Sequence, residues 1–203
     1  MVPRAKKNLH ECAYHLERME HSTHVEELSI NFAAFVNSAR NITFVLNKEF
    51  SDDPEFKSWY GEKENPAKGT KRYEMANNAL TRFFRDLRNE IVKEGTNGFV
   101  CSTHIHQFNS GTDMIDPPPN AGLEISGDGM YYRVNKGTPQ EDRIPAKSRA
   151  RLTTMVGIQN PPTSHLGVEI PADQRDVLNL SKKYYEYLKS IVEEWTGILN
   201  LRT

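Results

Sequence analysis

Three observations predict an α+β fold, a bundle of four or five helices carrying a small inserted antiparallel β-sheet. Apolar residues recur at helical spacing through the first half of the chain and again near its end. Between them, residues 99 to 158 change texture, becoming rich in β-branched and aromatic residues. Within that middle segment Gly127-Asp128-Gly129 joins two short apolar runs, a hairpin signal. With 203 residues the expectation is one domain over 1–203, its bundle built from 4–98 and 173–198 and its β insertion from 99–158.

The elements follow in order. Residues 4 to 21 place Leu9, Cys12, Ala13, Leu16 and Met19 on one helical face. Ser22 or Thr23 can cap the next helix. That helix, 25 to 50, is the longest, with Leu28, Phe32, Phe35, Val36, Ala39, Ile42 and Leu46 at helical spacing. Asp53-Pro54 starts a short helix to Tyr60, because proline is tolerated in the first turn. After a polar loop, 71 to 94 reads as one helix, whose Leu80, Phe83, Phe84, Leu87 and Ile91 share a side. Strands are expected at 99–108, 123–126, 130–135 and 149–158, with Asp116 to Asn120 as a rigid connector and Pro139 to Pro145 as a loop. A last helix, 173 to 198, carries Val177, Leu180, Tyr184, Leu188, Ile191, Trp195 and Ile198 in near-heptad rhythm.

Lysine and arginine number 26 against 27 aspartate and glutamate, so a nucleic-acid surface has to be a local patch. Two cysteines, Cys12 and Cys101, fit a reducing compartment better than a disulfide scaffold. The first residues lack the apolar core of a signal peptide, and no apolar run approaches the roughly 20 residues that span a bilayer. A cytoplasmic protein away from membranes is the expectation.

The helix around Leu80–Gly95 carries Arg88-Asn89, and Arg88 falls about 80° from the centre of the apolar stripe, at its edge. A guanidinium there needs a partner for its donors. A shorter echo, Phe35-Val36-x-x-Ala39-Arg40-Asn41 against Phe83-Phe84-x-x-Leu87-Arg88-Asn89, puts an Arg-Asn pair at the same offset on two helices and suggests that they are neighbours. An Arg-polar pair near the end of a long bundle helix resembles the HEPN superfamily of prokaryotic helical proteins. Many of these are ribonucleases that act as dimers, with the motif arginine, a polar residue, a few further residues, then histidine. The resemblance covers roughly 25–95 and extends to the last helix, not to the sheet. It implies that Arg88 is the motif arginine and Asn89 the polar residue. Lys93, Glu94 and Gly95 stand where the motif places its histidine. Metal-free RNA cleavage needs a group that titrates near neutrality as well as a cation. Lysine, with an ordinary pKa near ~10.4, shuttles protons poorly, and Lys93 lies about 140° around the helix from Arg88.

Elsewhere, His10 and His15 are spaced i, i+5 and diverge on a helix, unlike the i, i+4 pair of zinc proteases. His104 and His106 point to the same strand face and are weak metal candidates beside a solvated-face reading. The most cationic region is Arg133, Lys136, Arg143, Lys147, Arg149 and Arg151, with Tyr131 and Tyr132 interleaved. Such a pattern contacts phosphates and stacks bases, and equally protects a sheet edge. No phosphate-binding loop, dinucleotide fingerprint or nucleophile elbow is present, and no cofactor is expected.

The leading expectation is therefore a HEPN-like binding or regulatory protein, non-catalytic and a homodimer, with RNA or another protein as partner. Arg133, Lys147, Arg149, Arg151, Tyr131 and Tyr132 are the candidate nucleic-acid residues. One alternative is a metal-independent endoribonuclease using Arg88, with Asn89, Lys93, His104 or His106 assisting. The other is a purely structural protein-interaction module with Arg88 paired internally.

Overall fold

The computed structural model describes residues 2–22, 25–94, 99–109, 112–126, 129–149 and 151–202, without the side chains of 94, 101–107 and 151–155. It is a mainly helical α+β fold. Six α-helices are described: α1 (Pro3–His21), α2 (Val25–Phe50), α3 (Pro54–Tyr60), α4 (Lys71–Asn77), α5 (Ala79–Glu94) and α6 (Val177–Asn200). The strands are β1 (Phe99–Gln107), β2 (Gly122–Ser126), β3 (Gly129–Val134), β4 (Asp142–Pro145), β5 (Arg151–Ile158), β6 (Ser164–His165) and β7 (Val168–Glu169). The chain divides into two compact units, Met1–Gly98 with Ile158–Thr203, and Phe99–Gly157.

In the helical unit, α1 buries Ala5, Leu9, Cys12, Leu16 and Met19. Helix α2 buries Phe32, Phe35, Val36, Ala39, Ile42 and Leu46. Helix α6 contributes Leu180, Tyr184, Leu188, Ile191 and Trp195. These are the 3.6-period stripes of the sequence turned inward. Two aromatic groups join them. Phe84 of α5 stacks on Tyr184, ring centroids 4.4 Å apart, and meets Phe32 and Phe35 at 6.3 and 6.1 Å. Phe50, Phe56 and Trp59 surround Trp195 at 5.0 to 5.4 Å. Helices α2 and α5, suggested as neighbours by the Arg-Asn echo, do pack together.

Local chemistry sets the helix ends. Asp53 accepts hydrogen bonds from the backbone N–H groups of Glu55 and Phe56 at 2.9 and 3.1 Å, with Pro54 in the first turn of α3. Ser22 donates back to the Arg18 carbonyl, so it closes α1 rather than capping α2. The helix expected over 71–94 is broken. Asn78 adopts φ −84°, ψ 122° and separates α4 from α5. Its side-chain oxygen accepts from the N–H of Leu80 at 3.2 Å and of Leu166 at 3.4 Å, and its amide donates to Thr81 Oγ1 at 3.1 Å. His165 Nδ1 lies within 3.1 Å of the same amide. The break is thus held by a hairpin, β6–β7, far along the chain, which the sequence reading did not contain.

In the second unit, β2, β3 and β4 form an antiparallel sheet in that order, and β1 pairs with β5. Residues 142–145, expected within a loop, are strand β4: Tyr132 lies opposite Ile144 and Arg133 opposite Arg143. The two-residue alternation puts Leu123, Tyr132 and Ile144 on one face and Glu124, Tyr131, Arg133 and Arg143 on the other.

Two outcomes follow. Trp195 is wholly buried in an aromatic cage, so Trp195→Ala lowers the unfolding free energy by about 3–5 kcal/mol in urea titration. Asp53 accepts from Arg202 Nη2 at 3.0 Å, and this, with the Phe56 N–H, lowers its pKa from 3.8 to about 2. A depressed carboxylate pKa stabilises the fold above the unfolded value, and that contribution fades as pH falls from about 4 toward 2. Urea midpoints across this range drop more steeply for the wild type than for Asp53→Asn.

Candidate functional site

Helices α2, α4 and α5, with the loop after α3, enclose a cleft of about 500 Å³ on the helical unit. Its cations are Arg40 from α2, Lys63 from the loop, Arg72 from α4, and Arg82 and Arg85 from α5. Phe44, Tyr60 and Tyr184 add aromatic surface, and Thr43, Asn47 and Thr81 add polar groups. Among the described residues, no aspartate, glutamate, histidine or cysteine lines it. The folding logic is direct. Arg82 and Arg85 are one turn apart on α5, and Arg40 and Phe44 are one turn apart on α2, so each pair shares a helix face. The packing of Phe84 against α2 and α6 brings both faces to one place.

The guanidinium groups are held to different degrees. Arg72 Nη2 donates to Asn47 Oδ1 at 2.7 Å, and its carbon lies 5.0 Å from the Tyr60 ring centroid. Its Nε is buried without a hydrogen-bond partner. Arg40 Nη1 donates to Thr43 Oγ1 at 3.2 Å. Arg85 pairs with its neighbour Asp86 at 2.9 Å, outside the cleft lining. Lys63 and Arg82 are exposed and form no ion pair among the described residues. Burial raises the hydroxyl pKa values of Tyr60 and Tyr184, so both stay neutral donors at physiological pH. A site with five cations, no carboxylate and neutral phenols attracts anions and offers no proton carrier that titrates near pH 7.

Of the residues singled out from sequence, Arg88 is half-buried on α5 beyond the cleft lining. Its Nε is buried with no hydrogen-bond partner, and it forms no ion pair among the described residues. Asn89 and Lys93 are exposed. In the β unit, Arg133 pairs with Glu124 at 2.5 Å and Glu141 at 3.1 Å. Arg143 pairs with Glu124 at 3.2 Å and stacks 3.6 Å over the Tyr131 ring. Tyr132 is buried and its hydroxyl donates to the Ile115 carbonyl at 3.3 Å. Carboxylates and packing thus engage much of the basic hairpin. Lys147 and Arg149 are exposed without an ion pair among the described residues. The side chains of Arg151, His104 and His106 lie outside the described residues. Among the described residues no cluster of three or more His, Cys, Asp or Glu could hold a metal ion. No described helix is long and apolar enough to cross a membrane.

A second cavity of about 450 Å³ lies between the β6–β7 hairpin and α6. There Lys182 and Lys183 are offset by Glu169 and Glu186, so it lacks the one-sided charge of the first. The sequence reading missed the cleft because its cations are scattered over four segments. The available signals were the i, i+3 pair Arg82/Arg85 and the i, i+4 pair Arg40/Phe44 on faces next to the core stripes.

Fold and site together define a mainly helical α+β protein with a cationic cleft on its helical unit. The chain belongs to the family of the bacteriophage lambda protein ea47, whose model matches residues 2–112. That match runs from α1 into the loop after β1 and contains all five cleft cations. No curated protein and no solved structure matches the chain.

An anion that fits the cleft stabilises the folded state by mass action. Inorganic phosphate therefore raises the melting temperature of the wild-type chain more than that of the Arg72→Gln/Arg82→Gln double variant at equal ionic strength, as read by differential scanning fluorimetry.

Proposed function

We propose that this chain is a non-catalytic RNA-binding protein whose helical cleft receives the nucleic-acid backbone. The observation that carries the reading is the cleft itself: five cationic side chains, two of them exposed without ion pairs, and no carboxylate. Phosphate contacts of this kind supply most of the affinity of a nucleic-acid-binding surface. Lys147 and Arg149, exposed on the β unit, are additional backbone contacts in this reading. The absence of imidazole and carboxylate from the cleft lining supports binding without cleavage. The HEPN-like reading of Arg88-Asn89 is part of the proposal, and with it a homodimer in a prokaryotic cytoplasm; the namesake of the family is a bacteriophage protein.

A second reading, a metal-independent ribonuclease using Arg88, is favoured by one observation. The buried Nε of Arg88 lacks the partner that a purely structural arginine would have.

Titration of a labelled RNA oligonucleotide at increasing salt distinguishes these. Binding is expected to weaken with a log–log slope of about −0.7 per phosphate contacted, and Arg72→Gln/Arg82→Gln to make that slope shallower. Undetectable or salt-independent binding overturns the RNA reading. Cleavage of the RNA in chelator, lost on Arg88→Ala, overturns the non-catalytic one.

A further inference from the structure

Phe44 is the cleft residue whose position charge does not explain. It is 57% exposed, on the same face of α2 as Arg40 and one turn away. A single exposed phenylalanine is ordinary on a protein surface. This one borders a cavity that mixes guanidinium groups with the apolar surface of Met75, Ala76, Tyr60 and Tyr184, and more than half of it stays exposed beside the cations. A ring next to phosphate-binding cations is what a nucleotide uses: its base stacks on the aromatic face while its phosphate meets the positive charge.

The dimensions narrow the class. A cavity of about 500 Å³ lies in the range of small-molecule pockets. A volume of that order suits one nucleotide with its base turned out, whereas a duplex keeps its bases stacked on one another and shows no face to the Phe44 ring. The cations divide accordingly. Arg72 is fixed by Asn47 and by the Tyr60 ring, and Arg40 by Thr43, so both present donors in set directions. Arg82 and Lys63 are exposed without ion pairs among the described residues, which leaves their charge for the backbone on either side.

We infer that the cleft is selective for single-stranded RNA, holding one unpaired nucleotide with its base on Phe44 and its phosphate between Arg40 and Arg72. The inference rests on the RNA-binding reading and adds strandedness and a stacking residue to it.

The test uses the full chain, with a fluorescein-labelled oligouridine, a labelled RNA duplex of equal length, and polyglutamate as a competitor. The oligouridine is expected to bind at least about ten-fold more tightly than the duplex. Phe44→Ala is expected to weaken oligouridine binding about ten-fold or more, the order of one lost base stack, with the salt slope unchanged. Phe44→Trp is expected to retain affinity. Because Phe44 is exposed, the melting temperatures of both variants should match the wild type. Arg82→Gln with Lys63→Gln should do the opposite, flattening the salt slope while leaving the single-strand preference in place. Equal binding of duplex and single strand, unchanged affinity in Phe44→Ala, or polyglutamate competing as strongly as unlabelled oligouridine overturns the inference and leaves the RNA reading standing for the first two. Failure of both RNAs to bind overturns the RNA reading itself.

Discussion

The contact on which the helical unit depends is the stack of Phe84 on Tyr184, 4.4 Å between ring centroids, with Phe32 and Phe35 against the other parts of the Phe84 ring. One side chain from α5 thereby touches both α2 and α6. Aromatic rings bury more area than any other side chain and prefer offset or edge contacts, so such a cluster fixes orientation as well as distance. The polar neighbours of Phe84 inherit that placement. Thr81 and Arg85 flank it on α5, and Tyr184 lies beneath it, and all three line the cleft. The cleft is a by-product of how the core closes: Arg85 directly follows Phe84 on α5, and Arg40 lies one turn after Val36 on α2.

That arrangement has an electrostatic consequence. Five like charges around one cavity repel one another, and burial of the Arg72 Nε without an acceptor adds a desolvation cost. Proteins tolerate such local conflicts chiefly where a ligand relieves them. The contrast with the β unit makes the point. There Arg133 and Arg143 are matched by Glu124 and Glu141, and Arg143 covers the Tyr131 ring. In the stretch that looked most basic in sequence, Arg133 and Arg143 are neutralised across the sheet, whereas Arg40, Arg72 and Arg82 converge from separate helices with no carboxylate among the described lining residues.

A second long-range link ties α5 to the end of the unit. Asn78 caps α5 and also accepts the Leu166 N–H, with His165 against its amide. Burial and the neighbouring Lys183 lower the pKa of His165, which favours its neutral ring. The first turn of α5, from which Thr81 and Arg82 reach the cleft, is therefore positioned by the β6–β7 hairpin as well as by the core.

What the amino-acid order determined by itself was local. The apolar stripes of α1, α2, α5 and α6 were legible because a helix buries one face and the period is fixed at 3.6 residues. The Asp53-Pro54 start was legible because capping acts within one turn. The antiparallel pairing of β2 with β3 was legible because two short apolar runs around a turn signal act over a short range. Tertiary structure decided the rest. Asn78 breaks a helix that periodicity would continue, because partners about 87 residues away occupy its side chain. Residues 142–145 became a strand because β3 offered its free edge. The charge state of the basic hairpin was set by which carboxylates lie across the strands. The cleft needed four separate segments folded together before Arg40, Lys63, Arg72, Arg82 and Phe44 could share one cavity. Periodicity and capping are read along the chain, but charge convergence is a property of three-dimensional distance, and no spacing along one helix encodes it.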